Sequence, residues 1–205
     1  QNHDQTGNRA QGERLITLAG ADKTRVLLAA LLLSPHIPLL FMGEEYGETN
    51  PFLFFTDFHG DLAKAVREGR AKEFTGHSGH DGDVPDPNDE QTFARSKLDW
   101  HNVTTAQGKS WLRFTRSLLV LRHRYLVPLL RPGGTVEGKI VKTAPGMVAV
   151  SWSFPTGTLS LALNIGNKPV DVPALAGETL FSWPEAAEVL APNSIVVRFA
   201  DGDAS

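Results

Sequence analysis

Two apolar stretches dominate the first quarter of the chain. Residues 26–33 are apolar at nearly every position, which predicts a helix over 21–33 that is buried on most sides, with Asp22 as its cap. Ser34 and Pro35 end that helix. Residues 37–42 form a short continuous apolar run, which predicts a parallel strand buried on both faces. Together the two segments predict a helix-strand unit of an α/β fold.

Helical periodicity returns twice before the pattern changes. A helix is predicted over 62–74, with Asp61 as a possible cap, and a polar loop over 76–90 comes after it. A longer amphipathic helix is predicted over 107–126. Its apolar residues recur at helical spacing: Trp111, Phe114, Leu118, Leu121 and Tyr125.

Beyond residue 135 the apolar residues alternate with a period of two. This alternation predicts short strands at 147–152, 159–163 and 195–199, separated by Gly, Pro and Asn. The pattern is typical of antiparallel strands that bury one face. We therefore expect a small antiparallel, sandwich-like β domain at this end of the chain.

Composition and charge limit the kinds of partner that the chain is expected to bind. The 205 residues are 41% hydrophobic and 21% charged, which is ordinary for soluble globular protein with one large or two small cores. A net charge of -3 without a basic cluster argues against a nucleic-acid partner. The longest apolar stretch is well short of the roughly 20 residues that cross a bilayer, so we expect no membrane partner. The absence of cysteine fits a cytoplasmic location.

The run Gln1-Asn2-His3-Asp4-Gln5 is the strongest candidate for chemistry. It places three hydrogen-bonding side chains, one of them a carboxylate, at consecutive positions. Such a set could hold a sugar with vicinal hydroxyls and stabilise a developing positive charge. Taken alone, the run is more often a polar turn than a site, so the hypothesis depends on the residues that come after Gln5.

The residues after Gln5 extend this run, and further motifs lie downstream. The segments that carry a resemblance are residues 1–10, 12–15, 40–47, 50–52, 55–57, 66–70, 85–87 and 92–100. In these segments the sequence resembles the α-amylase family of glycoside hydrolases, and within that family the hydrolases that release trehalose, over about residues 1–130. The remainder resembles the family only in type, as a β domain after a catalytic barrel.

The resemblance implies a fold of α/β plus all-β class. Residues 1–131 would form the last part of a (β/α) TIM-type barrel, and residues 132–205 a small antiparallel β-sandwich-like C-terminal domain. In such barrels reacting groups lie on loops at the carboxyl ends of strands, so residues 2–4 and 43–45 would share one rim. Two of eight strands cannot close a barrel. We therefore expect a C-terminal fragment, completed by further sequence or by self-association.

The resemblance also implies roles for the opening motif. Asp4 matches the family's transition-state stabiliser, which binds ring hydroxyls and stabilises an oxocarbenium-like charge. His3 would hydrogen-bond the substrate beside it, and Gln5 would contribute to the same binding site. Asn2 would either contact the sugar or tie down the loop.

Two further positions are candidates for substrate binding. Glu44 comes after the last barrel strand and would serve an outer subsite, or else pair with a barrel arginine. Asp57 would form a sugar-binding wall with Phe54 and Phe55, or else lie on a loop anchored by buried phenylalanines. Glu44 and Glu45 do not form the catalytic pair, because adjacent side chains on an extended segment point to opposite sides.

The remaining polar clusters favour structural roles. Arg9, Glu13 and Arg14 predict a salt-linked loop. The spacing of the acidic and histidine residues after residue 76 fits neither a calcium loop nor a helical zinc pair, so we expect a solvated loop and no metal. That set is His77, His80, Asp81, Asp83, Asp86 and Asp89. The four tryptophans, at positions 100, 111, 152 and 183, are expected in the core.

The resemblance implies hydrolysis of an α-1,4 bond in maltooligosyl trehalose or another α-glucan, with retention and without a cofactor. A retaining glycosidase needs two further carboxylates, a nucleophile and an acid/base. No Asp or Glu in residues 5–205 has a matching context, so we expect the chain alone to be inactive. The alternatives are an α-glucan branching enzyme, an α-amylase, or a non-catalytic carbohydrate-binding or structural module.

Overall fold

The computed structural model of the chain describes residues 1–75, 84–131, 136–185 and 189–202. They form two compact units, one from Gln1–Gly20 and Leu39–Leu112 and the other from Ala21–Pro38 and Arg113–Ser205. The helices, in chain order, are α1 (His3–Gly7), α2 (Leu15–Ala19), α3 (Ala21–Leu33), α4 (Gly60–Phe74), α5 (Glu90–Arg95), α6 (Ala106–Leu121) and α7 (Val127–Leu130), with 3-10 turns at Glu44–Tyr46 and Trp100–Thr104. The domain boundary at residue 131 stays a prediction, and these units divide the chain elsewhere.

The first unit consists of short helices and turns joined by loops. Its longest helix, α4, confirms the helix predicted over 62–74 and begins two residues earlier, at Gly60. Asp61 therefore lies in the first turn of α4, and His59 occupies the cap position. An acidic side chain in the first turn still interacts favourably with the positive end of the helix dipole.

The strand predicted over 37–42 is wrong in this chain. The segment is irregular, and alternate apolar side chains face solvent, with Ile37 94% and Leu39 64% exposed, while Leu40 and Phe41 are half-buried. A strand needs a neighbour for its N–H and C=O groups, and none of the described segments pairs with this one. All strand pairs among the described residues are antiparallel, so the barrel strands expected from the sequence are not formed here.

The buried helix at the start of the second unit confirms the prediction for 21–33. α3 buries Val26, Leu28, Ala29 and Leu32, each at most 2% exposed. Asp22 lies within its first turn and is not a cap. The carboxyl end of α3 is bound by Arg122, which donates hydrogen bonds to the carbonyl oxygens of Leu32, Ser34 and His36 at 2.7 to 2.9 Å.

The helix predicted over 107–126 is also confirmed. It forms as α6, continues through a π-helical turn at Arg122–Leu126, and ends with α7 at Leu130. Leu118 on its apolar face is fully buried. Within the second unit, the Phe114 ring packs edge-on against Phe181 and Trp183, and the Tyr125 ring lies 6.3 Å from that of Phe199.

The β domain is a five-stranded antiparallel sheet with the order β1-β2-β3-β7-β5, beside a two-stranded sheet of β4 and β6. The strands are β1 (Glu137–Ala144), β2 (Met147–Phe154), β3 (Gly157–Asn164), β4 (Val170–Asp171), β5 (Glu178–Trp183), β6 (Val189–Leu190) and β7 (Ser194–Asp201). The three predicted strands lie within β2, β3 and β7, so the alternation of the sequence is confirmed.

Strand register sorts the side chains onto two faces. Ala149 pairs with Ala162 and Ala162 with Val196, and these residues pack with Leu175 and Leu190. On the opposite face Leu161 pairs with Val197, and α3 contacts β3 and β7. The sheet is therefore covered by helices on one face and by the small second sheet region on the other.

The outer strand β1 differs from the rest of the sheet. Seven of its eight residues are exposed, and its pairing with β2 shifts register between Ile140 and Lys142. Among the described residues, β1 has a hydrogen-bonded neighbour on one edge only, which is β2, so it forms an edge of the sheet.

Candidate functional site

Asn2, His3 and Asp4 form the beginning of helix α1. The Asn2 side-chain oxygen accepts a hydrogen bond of 2.8 Å from the backbone N–H of Gln5, so Asn2 caps the helix. This contact supports the scaffolding alternative for its side-chain oxygen. His3 Nε2 lies 3.3 Å from Asp4 Oδ1, and these two side chains are 71% and 69% exposed. Both are therefore accessible to a ligand from solvent.

Gln1 connects this motif to the turn that carries Glu44. Gln1 Oε1 accepts from the backbone N–H of Leu15 at 2.7 Å, and Gln1 Nε2 lies 3.4 Å from Glu44 Oε1. Glu44 Oε2 accepts from the backbone N–H of Phe41 at 3.0 Å. The structure thus brings the predicted residues Asn2 and Glu44 into one neighbourhood, while the contacts of the buried Glu44 carboxylate are with the protein.

Glu48 is the main polar centre of the first unit, and sequence reasoning missed it. Its carboxylate is 1% exposed and is surrounded by donors from several segments. These donors are the Tyr46 hydroxyl at 3.1 Å, the backbone N–H groups of Thr49, Asn50 and Asp99 at 2.8 to 2.9 Å, and Asn102 Nδ2 at 3.4 Å. Burial, together with the Glu48 charge, raises the pKa of the Tyr46 phenol well above its usual value. No local motif signals these contacts, since Asp99 and Asn102 lie about fifty residues away.

Arg14 lies beside this centre. Its Nε donates to the carbonyl of Asn50 at 2.6 Å and its Nη1 to the carbonyl of Met42 at 2.8 Å. Burial lowers the pKa of the Arg14 guanidinium, and the nearby Glu48 charge opposes that change. The predicted salt-linked loop is confirmed for Arg9 and Glu13, whose side chains lie 3.2 Å apart, while Arg14 binds backbone carbonyls instead.

Asp57 lies at the surface. Its side chain is 97% exposed and its carboxylate is 3.8 Å from His59 Nε2. The neighbouring Phe55 packs edge-on against Phe52 and Phe93, as the loop-anchor alternative expects. Phe54 is 38% exposed and its ring faces the Arg70 guanidinium at 5.0 Å. A substrate-binding role for Asp57 stays a prediction.

The tryptophans divide into core and surface. Trp111 is 1% exposed, as predicted for the core, while Trp100 is 67% exposed, so the core prediction is wrong for that residue. Trp100 begins a 3-10 turn and contacts the Tyr46 ring on one side, with ring centroids 6.1 Å apart. Trp152 and Trp183 are half-buried.

Some of the residues that were considered as possible metal ligands lie outside the described residues. His77, His80, Asp81 and Asp83 belong to the part of the chain that the structure does not describe. Asp86 pairs with Arg67 at 2.5 Å, and Asp89 caps α5 by accepting from the N–H of Gln91. Within the described ranges, no three His, Asp or Glu side chains are grouped as a metal site, and no helix is long and apolar enough to cross a membrane.

Comparison with known proteins finds relatives of this chain that share one name. The chain is 51% identical over 123 residues to malto-oligosyltrehalose trehalohydrolase from Deinococcus radiodurans, covering 60% of this chain and 20% of that protein. It is 45% identical over 173 residues to the enzyme of the same name from Rhizobium sp., covering 84% of this chain and 28% of that protein. The chain is therefore a homologue of part of the malto-oligosyltrehalose trehalohydrolases. The family resemblance seen in the sequence is confirmed.

Other comparisons agree on the fold. A crystal structure of an α-amylase candidate from Salmonella typhimurium is 64% identical, with a TM-score of 0.93, and matches 98% of this chain and 34% of that one. No family model matches the sequence. The chain spans about a fifth to a third of the length of the curated trehalohydrolases it matches, from 20% to 34%. The matched region is therefore one portion of each of these longer proteins.

Proposed function

We propose that this chain is part of an enzyme that cleaves the α-1,4-glucosidic bond next to the terminal trehalose of maltooligosyl trehalose and releases trehalose. The observation that carries this proposal is the 51% identity to a trehalohydrolase over 123 residues, and the solvent-accessible His3-Asp4 pair agrees with it. In that enzyme, residues 1–131 would be the C-terminal part of a TIM-type barrel. The absence of cysteine fits a cytoplasmic enzyme.

We assign the transition-state role to Asp4. Its ionised carboxylate would accept hydrogen bonds from ring hydroxyls and stabilise the positive charge that develops at the anomeric carbon. His3 would donate to the same sugar, and Gln5, also exposed, would lie at the edge of the site. Asn2 would act mainly by holding α1 in place, because its side-chain oxygen already accepts from the Gln5 N–H.

The covalent chemistry would use carboxylates outside this chain. In a retaining glycosidase, one carboxylate attacks the anomeric carbon while a protonated carboxyl gives its proton to the leaving oxygen, and water then hydrolyses the glycosyl-enzyme. We assign neither role to a residue of this chain. The chain alone is therefore expected to release no sugar, and no redox or nucleotide cofactor or metal is needed for these steps.

The proposal is tested by incubating the chain and the whole protein separately with maltooligosyl trehalose. We expect trehalose from the whole protein only, and a loss of about 100- to 1,000-fold in kcat for Asp4→Asn. Asp171→Asn is the matched control, because this exposed carboxylate lies on β4, in the other unit. Turnover by the chain alone, or an unchanged kcat in Asp4→Asn, would contradict the assignments.

A second candidate activity is that of an α-amylase, because the similar Salmonella typhimurium protein is an α-amylase candidate. Plain maltooligosaccharide distinguishes the two activities, because an α-amylase cleaves it as readily as the trehalose-capped substrate. A branching enzyme would instead form new α-1,6 bonds. Binding of either glucan without any turnover by the whole protein would favour a non-catalytic module.

A further inference from the structure

The helix that carries Asp4 is held at its carboxyl end by an arginine from a distant part of the chain. Arg70 on α4 donates from Nη2 to the carbonyl of Gly7 at 2.7 Å and to that of Arg9 at 3.1 Å. Gly7 is the last residue of α1. The last carbonyls of a helix have no partner within it and carry partial negative charge. The guanidinium therefore supplies the Gly7 carbonyl with a hydrogen bond and this end of α1 with a complementary charge, and it also binds the Arg9 carbonyl two residues beyond the helix.

The guanidinium is itself fixed in place. The Arg70 side chain is 6% exposed, and Nη1 donates to Glu73 Oε2 at 2.8 Å. The Phe54 and Phe74 rings lie 5.0 and 4.6 Å from its central carbon. These contacts leave the planar group little freedom, and a lysine could not reproduce them because its ammonium is a single point charge.

We propose that Arg70 is a positioning residue for Asp4. Helix α1 has only five residues, too few to be stable without external contacts. Asn2 fixes its first turn and Arg70 fixes its last, so the direction in which the Asp4 carboxylate points depends on both ends. The catalytic consequence rests on the function proposed above, whereas the ordering of α1 by Arg70 does not.

The ordering is measured on the chain itself by amide hydrogen exchange. The reporters are the backbone N–H groups of Thr6 and Asn8, which donate to the carbonyls of Asn2 and Asp4. In Arg70→Gln we expect their exchange to become about tenfold faster or more, since hydrogen bonds to a charged group are lost. Glu73→Gln is the matched control, because it removes the charge of the Nη1 partner and leaves both Nη2 bonds in place. Its reporters should exchange as in the unchanged chain.

A rescue experiment separates positioning from general stability. Arg70→Ala leaves a space between Phe54 and Phe74 that fits a guanidinium ion. Millimolar guanidinium should restore slow exchange at Thr6 and Asn8, while sodium at equal ionic strength should not. If Arg70→Gln does not fold, Arg70→Lys and this titration still decide the question. Unchanged exchange in all Arg70 variants, or equal acceleration in Glu73→Gln, would overturn the proposal.

Kinetics of the whole protein test the link to Asp4. Arg70→Lys should lower kcat by about 100-fold with little change in KM, because a displaced group loses an interaction made mainly in the transition state. If Arg70→Lys acted only by lowering the amount of folded protein, its kcat corrected for the folded fraction would equal that of Glu73→Gln. Faster exchange in α1 together with unchanged kcat would overturn the positioning role. If the whole protein released no trehalose, the proposed function would fail while the exchange result would still decide how α1 is held.

Discussion

The Tyr46 hydroxyl donates a hydrogen bond of 3.1 Å to Glu48, and both side chains are almost completely buried. The same carboxylate accepts from backbone N–H groups on both sides of a fifty-residue interval. A single side chain thus joins the turn after Gly43 to the segment that contains Asp99.

Replacing Glu48 by Gln should destabilise the chain by about 3 kcal/mol. The amide nitrogen of glutamine is a donor, so it would face N–H groups that need an acceptor in a buried site. The measurement is urea unfolding monitored by tryptophan fluorescence. Glu68→Gln is the control, because that side chain is 53% exposed and its variant should unfold as the unchanged chain does. Equal midpoints for the two variants would refute the central role of Glu48.

The raised pKa of Tyr46 predicts a loss of stability in alkali. The unfolded phenol loses its proton near its usual pKa of 10.0, while the folded phenol keeps it. The unfolded state then binds fewer protons, so the free energy of unfolding should fall by up to about 1.4 kcal/mol per pH unit above pH 10. Unfolding at a series of pH values tests this, with Tyr46→Phe expected to flatten the fall.

Tyr125 provides the control for that experiment. The chain contains two tyrosines, so Tyr125→Phe leaves Tyr46 as the single phenol for an ultraviolet titration. We expect that phenol to titrate above the usual range and the alkaline fall in stability to persist. An ordinary titration near pH 10 in the folded Tyr125→Phe variant would contradict the prediction.

Gly47 and Gly69 should respond to alanine with opposite signs. Gly47 has a φ of +73°, and an added Cβ would lie 2.6 Å from Trp111 Cδ1, so Gly47→Ala should cost about 3 kcal/mol. Gly69 lies within α4 and has open space around it, so Gly69→Ala should stabilise by about 1 kcal/mol. Thermal unfolding measures both. Equal shifts in Tm for the two variants would contradict the predicted difference between the two glycine sites.

Arg122→Lys should destabilise the second unit by about 2 to 3 kcal/mol. The guanidinium reaches three carbonyls around the end of α3, and an ammonium cannot span the same set. Arg116→Lys on α6 is the matched control, because that residue is exposed. Chemical unfolding of both variants gives the difference, and comparable stabilities would argue against the Arg122 contacts.

The parts of the fold that depend on local pattern were predictable. The buried helix over 21–33 follows from a run that is apolar at nearly every position, and β2, β3 and β7 follow from alternation with a period of two, so local pattern located them. The run over 37–42 shows the limit of that reasoning, because a continuous apolar segment becomes a strand only beside other strands. Its composition is compatible with a strand, but its neighbours decide whether one forms.

The candidate site divides in the same way. Asn2, His3 and Asp4 were found because they are consecutive and match a family motif. Glu48 and Arg70 escaped notice because their partners lie tens of residues away and their neighbours in the sequence give no sign of burial. Trp100 was misjudged for the opposite reason, since residue type favours burial but its turn leaves it exposed.

The outer strand β1 has a consequence for behaviour at high concentration. A free sheet edge is a template on which other chains can add strands and aggregate. In β1, Lys139 and Lys142 place charge along that edge, and the register shift after Ile140 interrupts the regular row of hydrogen-bonding groups. A strand from another chain would have to form hydrogen bonds with an irregular row of backbone N–H and C=O groups, beside charged side chains. The sheet therefore has built-in protection against growing by strand addition from its β1 side.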